Sequence, residues 1–208
     1  MRREDWSSRS DNVLPGCAAG SLNRADAGHL DAAIRGHAER LLEVVEELTK
    51  QIAACDKELE RIARDRYEKE TGQLRQVPGV GPITALTFVL TLDDPARFAK
   101  SRDVGCFLGL RPKSRQSGSS EPEMRISKEG DGYLRTLLVQ CAQYILRRDA
   151  PDTDLKRWGL EIAARGKKKA KKRAVVAVGR KLAVLLHRLW VSGEVYDRRR
   201  PRVTKAAA

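Results

Sequence analysis

Residues 34–62 read IRGHAERLLEVVEELTKQIAACDKELERI. The apolar positions Ile34, Ala38, Leu41, Val45, Leu48, Ile52, Cys55, Leu59 and Ile62 are separated by alternating steps of four and three residues. That spacing keeps one stripe of a helix turned toward a partner helix over about four heptads. Between these positions stand Glu39, Glu43, Glu46, Glu47, Lys50, Lys57, Glu58 and Arg61, charges that keep the remaining faces in water. An amphipathic helix packed on its own domain uses a similar pattern, but a strict seam of this length exceeds what a globular contact needs. The stretch predicts a coiled-coil helix, bounded here as residues 30–70, through which copies of the chain would form a homo-oligomer.

Upstream, residues 1–29 mix Ser, Asn, Asp, Gly and Pro without a sustained apolar period and read as a poorly ordered leader. Downstream, Leu74-Arg-Gln-Val-Pro-Gly-Val-Gly-Pro-Ile-Thr-Ala-Leu86 places a Pro-Gly-Val-Gly-Pro turn between two apolar-periodic segments, the pattern of a helix-hairpin-helix. Gly79 and Gly81 would permit close backbone approach, and Pro82 suits the first turn of a helix whose free N–H groups could face a phosphate. An ordinary tight turn between helices carries the same residues. Phe98 to Leu110 include a short apolar helix, and Arg111 to Met124 read as a loop. A further helix starts at Gly130-Asp131-Gly132, with Asp131 as its cap and Leu134, Leu137, Leu138, Cys141 and Ile145 as its core stripe. A last one, Ala174 to Trp190, carries Val175, Val178, Leu182, Leu185 and Leu189 on one side. The expected fold is all-α: a long coiled-coil helix, a compact helical domain over residues 71–197 containing the hairpin motif, and a basic tail over residues 198–208.

The charge balance narrows the partners. With 41 Lys and Arg against 28 Asp and Glu, the 208-residue chain has a formal charge of +13, which predicts salt-dependent attraction to a polyanion. Nucleic acid comes first. A membrane surface would attract the same charge, but no apolar run approaches the roughly 18 residues that span a bilayer. Cys17, Cys55, Cys106 and Cys141 lack the close pairing that zinc or a redox dithiol requires and read as small apolar residues in a reducing cytoplasm. Nothing near Met1 resembles a secretory signal. The positive charge is densest between Arg165 and Arg173, where Lys167, Lys168, Lys169, Lys171, Lys172 and Arg173 crowd together, and no acid occurs from Ile162 through Gly193. Unrelieved like charge repels itself unless a polyanion neutralises it.

One segment concentrates possible chemistry. Gly109 to Ser120, Gly-Leu-Arg-Pro-Lys-Ser-Arg-Gln-Ser-Gly-Ser-Ser, sets four hydroxyls beside Lys113 and Arg115, and Arg125, Ser127 and Lys128 add donors just beyond. A serine can attack a phosphodiester once its proton is removed and the developing charge is stabilised, and neighbouring cations supply the second requirement. Spacing alone favours a phosphate-binding or solvated Ser/Gly loop over catalysis, because neither a Ser-His-Asp order nor a metal cluster accompanies it.

The ordered blocks Val-Pro-Gly-Val-Gly-Pro at 77–82, Arg-Phe at 97–98, Gly-Leu-Arg-Pro-Lys at 109–113, Gln-Ser-Gly at 116–118, Arg-Ile-Ser-Lys-Glu-Gly-Asp at 125–131 and Gly-Glu-Val-Tyr at 193–196 resemble the C-terminal domain of insertion-sequence 110/116/902 transposases. The resemblance runs from about Leu30 to Asp197. It implies DNA transposition, with the serine of the Ser-Gly block that follows Gly-Leu-x-Pro, here Ser117, as the nucleophile and a phosphoserine link to DNA as the intermediate. It further implies a structured guide RNA as a second partner. In the complete family enzyme an N-terminal acidic domain, absent from this sequence, holds magnesium; no cofactor or metal ligand set is expected in this chain itself. On that expectation the isolated chain binds DNA without cutting it, and the alternative is a non-catalytic nucleic-acid-binding remnant of a truncated transposase.

Overall fold

The computed structural model describes residues 32–113, 125–166 and 168–198, and within them every regular element is a helix. Helix α1 spans Ala32–Arg75, with its helical geometry interrupted at Tyr67 (φ −133°, ψ 29°). There follow α2 (Pro82–Leu92), a 3-10 turn (Pro95–Arg97), α3 (Ser101–Phe107), α4 (Gly132–Ile145), α5 (Asp154–Ala164) and α6 (Lys168–Ser192). The all-α expectation holds. The chain divides between Ile62 and Ala63 into two units, and the second takes in the last turns of α1.

In the first unit the seam is laid bare on a single helix. Leu41 is 67% exposed, Leu48 52%, Ile52 43% and Leu59 36%, with Val44 beside them at 56%. The charges between them form local pairs, such as Arg61 to Glu58 at 2.6 Å.

In the second unit α6 is the central pillar, packed against α3, α4, α5 and the 3-10 turn, while α2 packs on α4. Ala174, Val178, Leu182, Ala183 and Leu186 of α6 are all fully buried. Small residues let its neighbours approach. A Cβ built on Gly159 of α5 would come within 2.5 Å of Val178 and 2.6 Å of Leu146, and one on Gly179 would meet the Leu138 carbonyl of α4 at 3.4 Å. Predicted to start at Ala174, this helix starts at Lys168, because Ala170 already seats its first turn in the core at 6% exposure.

Local hydrogen bonding explains the element ends. Asp131 caps α4 by accepting from the Leu134 N–H at 2.5 Å, as its position predicted. Helix α5, not foreseen, is capped by the Thr153 hydroxyl, which accepts from the Lys156 N–H at 3.1 Å. Lys156, 9% exposed, donates from Nζ to the carbonyls of Ala150 (2.6 Å) and Arg148 (3.2 Å) and so satisfies the turn that follows α4. The segment after α6 lies back over the unit: Gln76 accepts from the Tyr196 N–H at 2.8 Å, Gln73 donates to the Glu194 carbonyl, and Asp154 N–H donates to the Arg198 carbonyl at 3.2 Å. The Tyr196 hydroxyl is buried without a partner at bonding geometry, and that burial, reinforced by Asp154, pushes its phenol up to about 12.

Candidate nucleic-acid interface

Two backbone stretches meet just beyond α3 and just before α4. Pro112 and Ile126 form an antiparallel bridge, flanked by Lys113 N–H to Arg125 C=O and Ser127 N–H to Arg111 C=O, each at 2.9 Å, and by Lys128 N–H to Gly109 C=O at 3.0 Å. Because Lys113 and Arg125 are bonded to each other, the segment 114–124 leaves from and returns to one place. We refer to the meeting stretches as the neck.

The neck exists because two glycines let the chains press together. Gly109 (φ 65°) and Gly130 (φ 96°) occupy the left-handed region, which side chains disfavour. A Cβ on Gly109 would fall 2.0 Å from the Glu129 carbonyl oxygen, and one on Gly130 1.9 Å from that of Phe107. Lys128 shares the left-handed backbone (φ 60°), which costs about 1 kcal/mol for a residue with a side chain. Leu108 and Leu110, both in the core, anchor one stretch, and Ile126 packs against the same core from the other. Arg135 of α4 adds a side-chain hydrogen bond to the Leu108 carbonyl at 3.2 Å.

This register decides which side chains share a face. Successive residues of paired extended chains alternate sides, so with Ile126 turned to the core, Arg111, Lys113, Arg125 and Ser127 turn away from it. Arg111, Lys113 and Arg125 are exposed, and Ser127 is half-buried. Lys113 stands directly opposite Arg125, an arrangement of like charges that destabilises a strand pair. Among the described residues no carboxylate pairs with either of them. Lys128, also exposed, follows immediately. Lys113, Arg125 and Lys128 are therefore brought together; Arg115 and Ser117 lie outside the described residues. Arg111 belongs with this group, and the signal that could have found it was its two-residue spacing from Lys113, which puts both on one side of an extended chain.

A second basic surface opens α6. Lys169, Lys171, Lys172 and Arg173 are exposed on its first turns, around buried Ala170 and Ala174. Lys168 is the first helical residue, and Lys167 lies outside the described residues. Cations at a helix N-terminus oppose its dipole, and the i,i+3 pair Lys169 and Lys172 repel each other. No acid occupies that turn to offset them.

At the hairpin, the two glycines divide. A Cβ on Gly79 would strike the Tyr144 ring at 2.8 Å and Ile145 at 3.3 Å, so this glycine serves close packing on α4. Gly81 caps α2 with open space where a side chain would be, and no side chain caps that helix start. Among the described residues no three His, Cys, Asp or Glu side chains gather closely enough to hold a metal ion, and no described helix is long and apolar enough to cross a membrane.

Comparison with known proteins bears on the same region. Residues 72–156, from the last turn of α1 to the start of α5, match the family described as Transposase IS116/IS110/IS902 family. The chain is similar to the transposase for insertion sequence element IS1111A of Coxiella burnetii (strain RSA 493 / Nine Mile phase I), 34% identical over 149 residues, covering 72% of this chain and 40% of that protein. It is also similar to the transposase for insertion sequence element IS1328 of Yersinia enterocolitica, 40% identical over 102 residues, covering 49% of this chain and 30% of that protein. The chain thus spans less than half the length of these curated relatives.

The neck can be tested apart from any ligand. In Gly130→Ala the amides of Lys113, Ser127 and Lys128 are expected to exchange hydrogen faster, while those of Leu138 and Leu182 in the core keep their protection. Unchanged exchange at all three neck amides would show that the close approach at Gly130 does not hold the neck.

Proposed function

The chain belongs to the IS116/IS110/IS902 transposase family through residues 72–156, and from that premise we propose that it is the DNA-binding, serine-bearing part of a transposase acting in DNA transposition. The observation that carries the reading is the neck: cations gathered on one face, set at the two ends of the segment that contains Ser117. Phosphodiester oxygens would neutralise Arg111, Lys113, Arg125 and Lys128 and relieve their mutual repulsion. The Lys169 to Arg173 surface would add affinity without reading sequence, since its long cationic side chains suit backbone phosphates.

In this reading Ser117 Oγ forms a bond to phosphorus as one P–O bond to a sugar breaks. The serine proton passes to a base, and the departing sugar oxygen takes up a proton. Attack by another strand's hydroxyl then reverses the step and regenerates the serine. Cations beside the reacting phosphate stabilise the charge that builds on its oxygens. The described residues do not fit a magnesium site, so acidic magnesium ligands would come from a partner or from a further domain, and a structured guide RNA would share the basic surfaces with DNA.

Self-association through the seam completes the proposal. Burying a Leu or Ile is worth roughly 1.5–3 kcal/mol, and Leu41, Leu48, Ile52 and Leu59 are exposed in the single chain. Replacing Leu41, Leu48 and Leu59 with Asp is expected to lower the mass found by sedimentation; an unchanged mass would refute assembly through this helix.

The nucleic-acid reading is tested by titrating a DNA duplex at several salt concentrations. Replacing Lys113 and Arg125 with Gln should weaken binding and flatten the log–log salt slope by about 0.9 for each phosphate no longer neutralised. Supplied with the acidic partner, magnesium, guide RNA and DNA, Ser117→Ala should lose the covalent protein–DNA species in a denaturing gel yet bind DNA as before. Retention of that species would remove Ser117 as the nucleophile.

A further inference from the structure

Arg97, at the end of the 3-10 turn, is exposed, and its guanidinium carbon lies 5.1 Å from the Phe107 ring centroid and 5.8 Å from that of Phe98. The two rings meet edge to face at 5.4 Å. This platform is rigidly seated. His187 of α6, 1% exposed, lies 3.0 Å through Nε2 from the Pro95 carbonyl and 3.0 Å through Nδ1 from the Ser101 hydroxyl. A carbonyl only accepts, so Nε2 donates and the ring pins the turn that presents Arg97; Phe98 in turn packs on His187 at 5.6 Å. Among the described residues no carboxylate pairs with Arg97.

A cation over an aromatic face is held there by the ring's quadrupole, and a planar guanidinium carries a fork of N–H donors that suits two oxygens of one phosphate. The location is specific. Phe107 lies under Arg97, and its carbonyl is the atom against which Gly130 presses to close the neck. We propose that Arg97 is a pre-oriented phosphodiester-binding residue beside the neck, extending the basic face formed by Arg111, Lys113 and Arg125. This rests on the nucleic-acid reading of the neck and adds to it a residue from a separate element. A merely structural Arg97 would need only its contact with the rings; a phosphate clamp needs both the charge and the planar fork.

The test measures binding of the full chain to a mixed-sequence DNA duplex, and to an RNA hairpin of equal phosphate count, across a range of salt concentrations. Arg97→Ala is expected to weaken duplex binding and make the log–log slope shallower by about 0.9. Arg97→Lys should keep the slope and bind about two- to fivefold more weakly, because the charge remains while the planar fork over the rings is removed. Phe107→Leu should resemble Arg97→Lys, with circular dichroism reporting whether it folds; if it does not, Arg97→Lys alone decides. A loss confined to DNA assigns the phosphodiester to DNA, and an equal loss with the hairpin assigns the site to either backbone. Wild-type slope and affinity in Arg97→Ala on both probes, or Arg97→Lys indistinguishable from wild type, would overturn the proposal. Failure of the unmodified chain to show salt-dependent binding would instead overturn the reading of the neck itself.

Discussion

The compact unit depends on the burial of α6, a helix thin enough on its inner faces for three others to reach it. Gly179 admits α4, Gly159 of α5 receives Val178, and Gly105 of α3 lies against the Arg180 side chain, with its Cβ position 3.0 Å from Cγ. Interiors are packed near the density of organic crystals, so such approaches leave little freedom in the elements they join. Position is then relayed outward. His187 of α6 fixes the 3-10 turn and α3 follows it, so that Phe107, Leu108 and Leu110 arrive where the neck is built. The basic face is thus referred back to the core by a short series of contacts.

The charges themselves work against the fold. Lys113 faces Arg125 across two hydrogen-bonded stretches, Lys128 adopts left-handed backbone, and the first turn of α6 carries lysines where a helix favours acids. Each costs a fraction of a kilocalorie to about 1 kcal/mol. Residues chosen for stability alone would not be arranged this way. A polyanion across these surfaces would turn the same repulsions into favourable contacts, and the resulting affinity would fall steeply with salt.

Much of this was legible from sequence where the signal is local. The seam of α1 and the Asp131 cap follow from periods and spacings within one element. Helix α5 escaped notice because it is short and amphipathic over few turns, with Thr153 its clearest marker. The start of α6 at Lys168 was hidden by lysines that look like a solvated run, while Ala170 alone signals the buried face. The neck is a pairing of residues on either side of an intervening segment, and no local pattern announces it. Gly79 illustrates the same limit: its turn was readable, but its packing against Tyr144 came from an element far along the chain. The role given to Ser117 came from resemblance, since the residues around it in sequence suit phosphate binding equally well.

The central claim is that nucleic acid lies on the neck and on the start of α6. It is tested most directly by crosslinking a bound DNA duplex to the protein and sequencing the attached peptides. The account predicts attachment at peptides containing Lys113, Arg125 to Lys128, and Lys169 to Lys172. Attachment confined to the lysines of α1, with none at the neck, would contradict it.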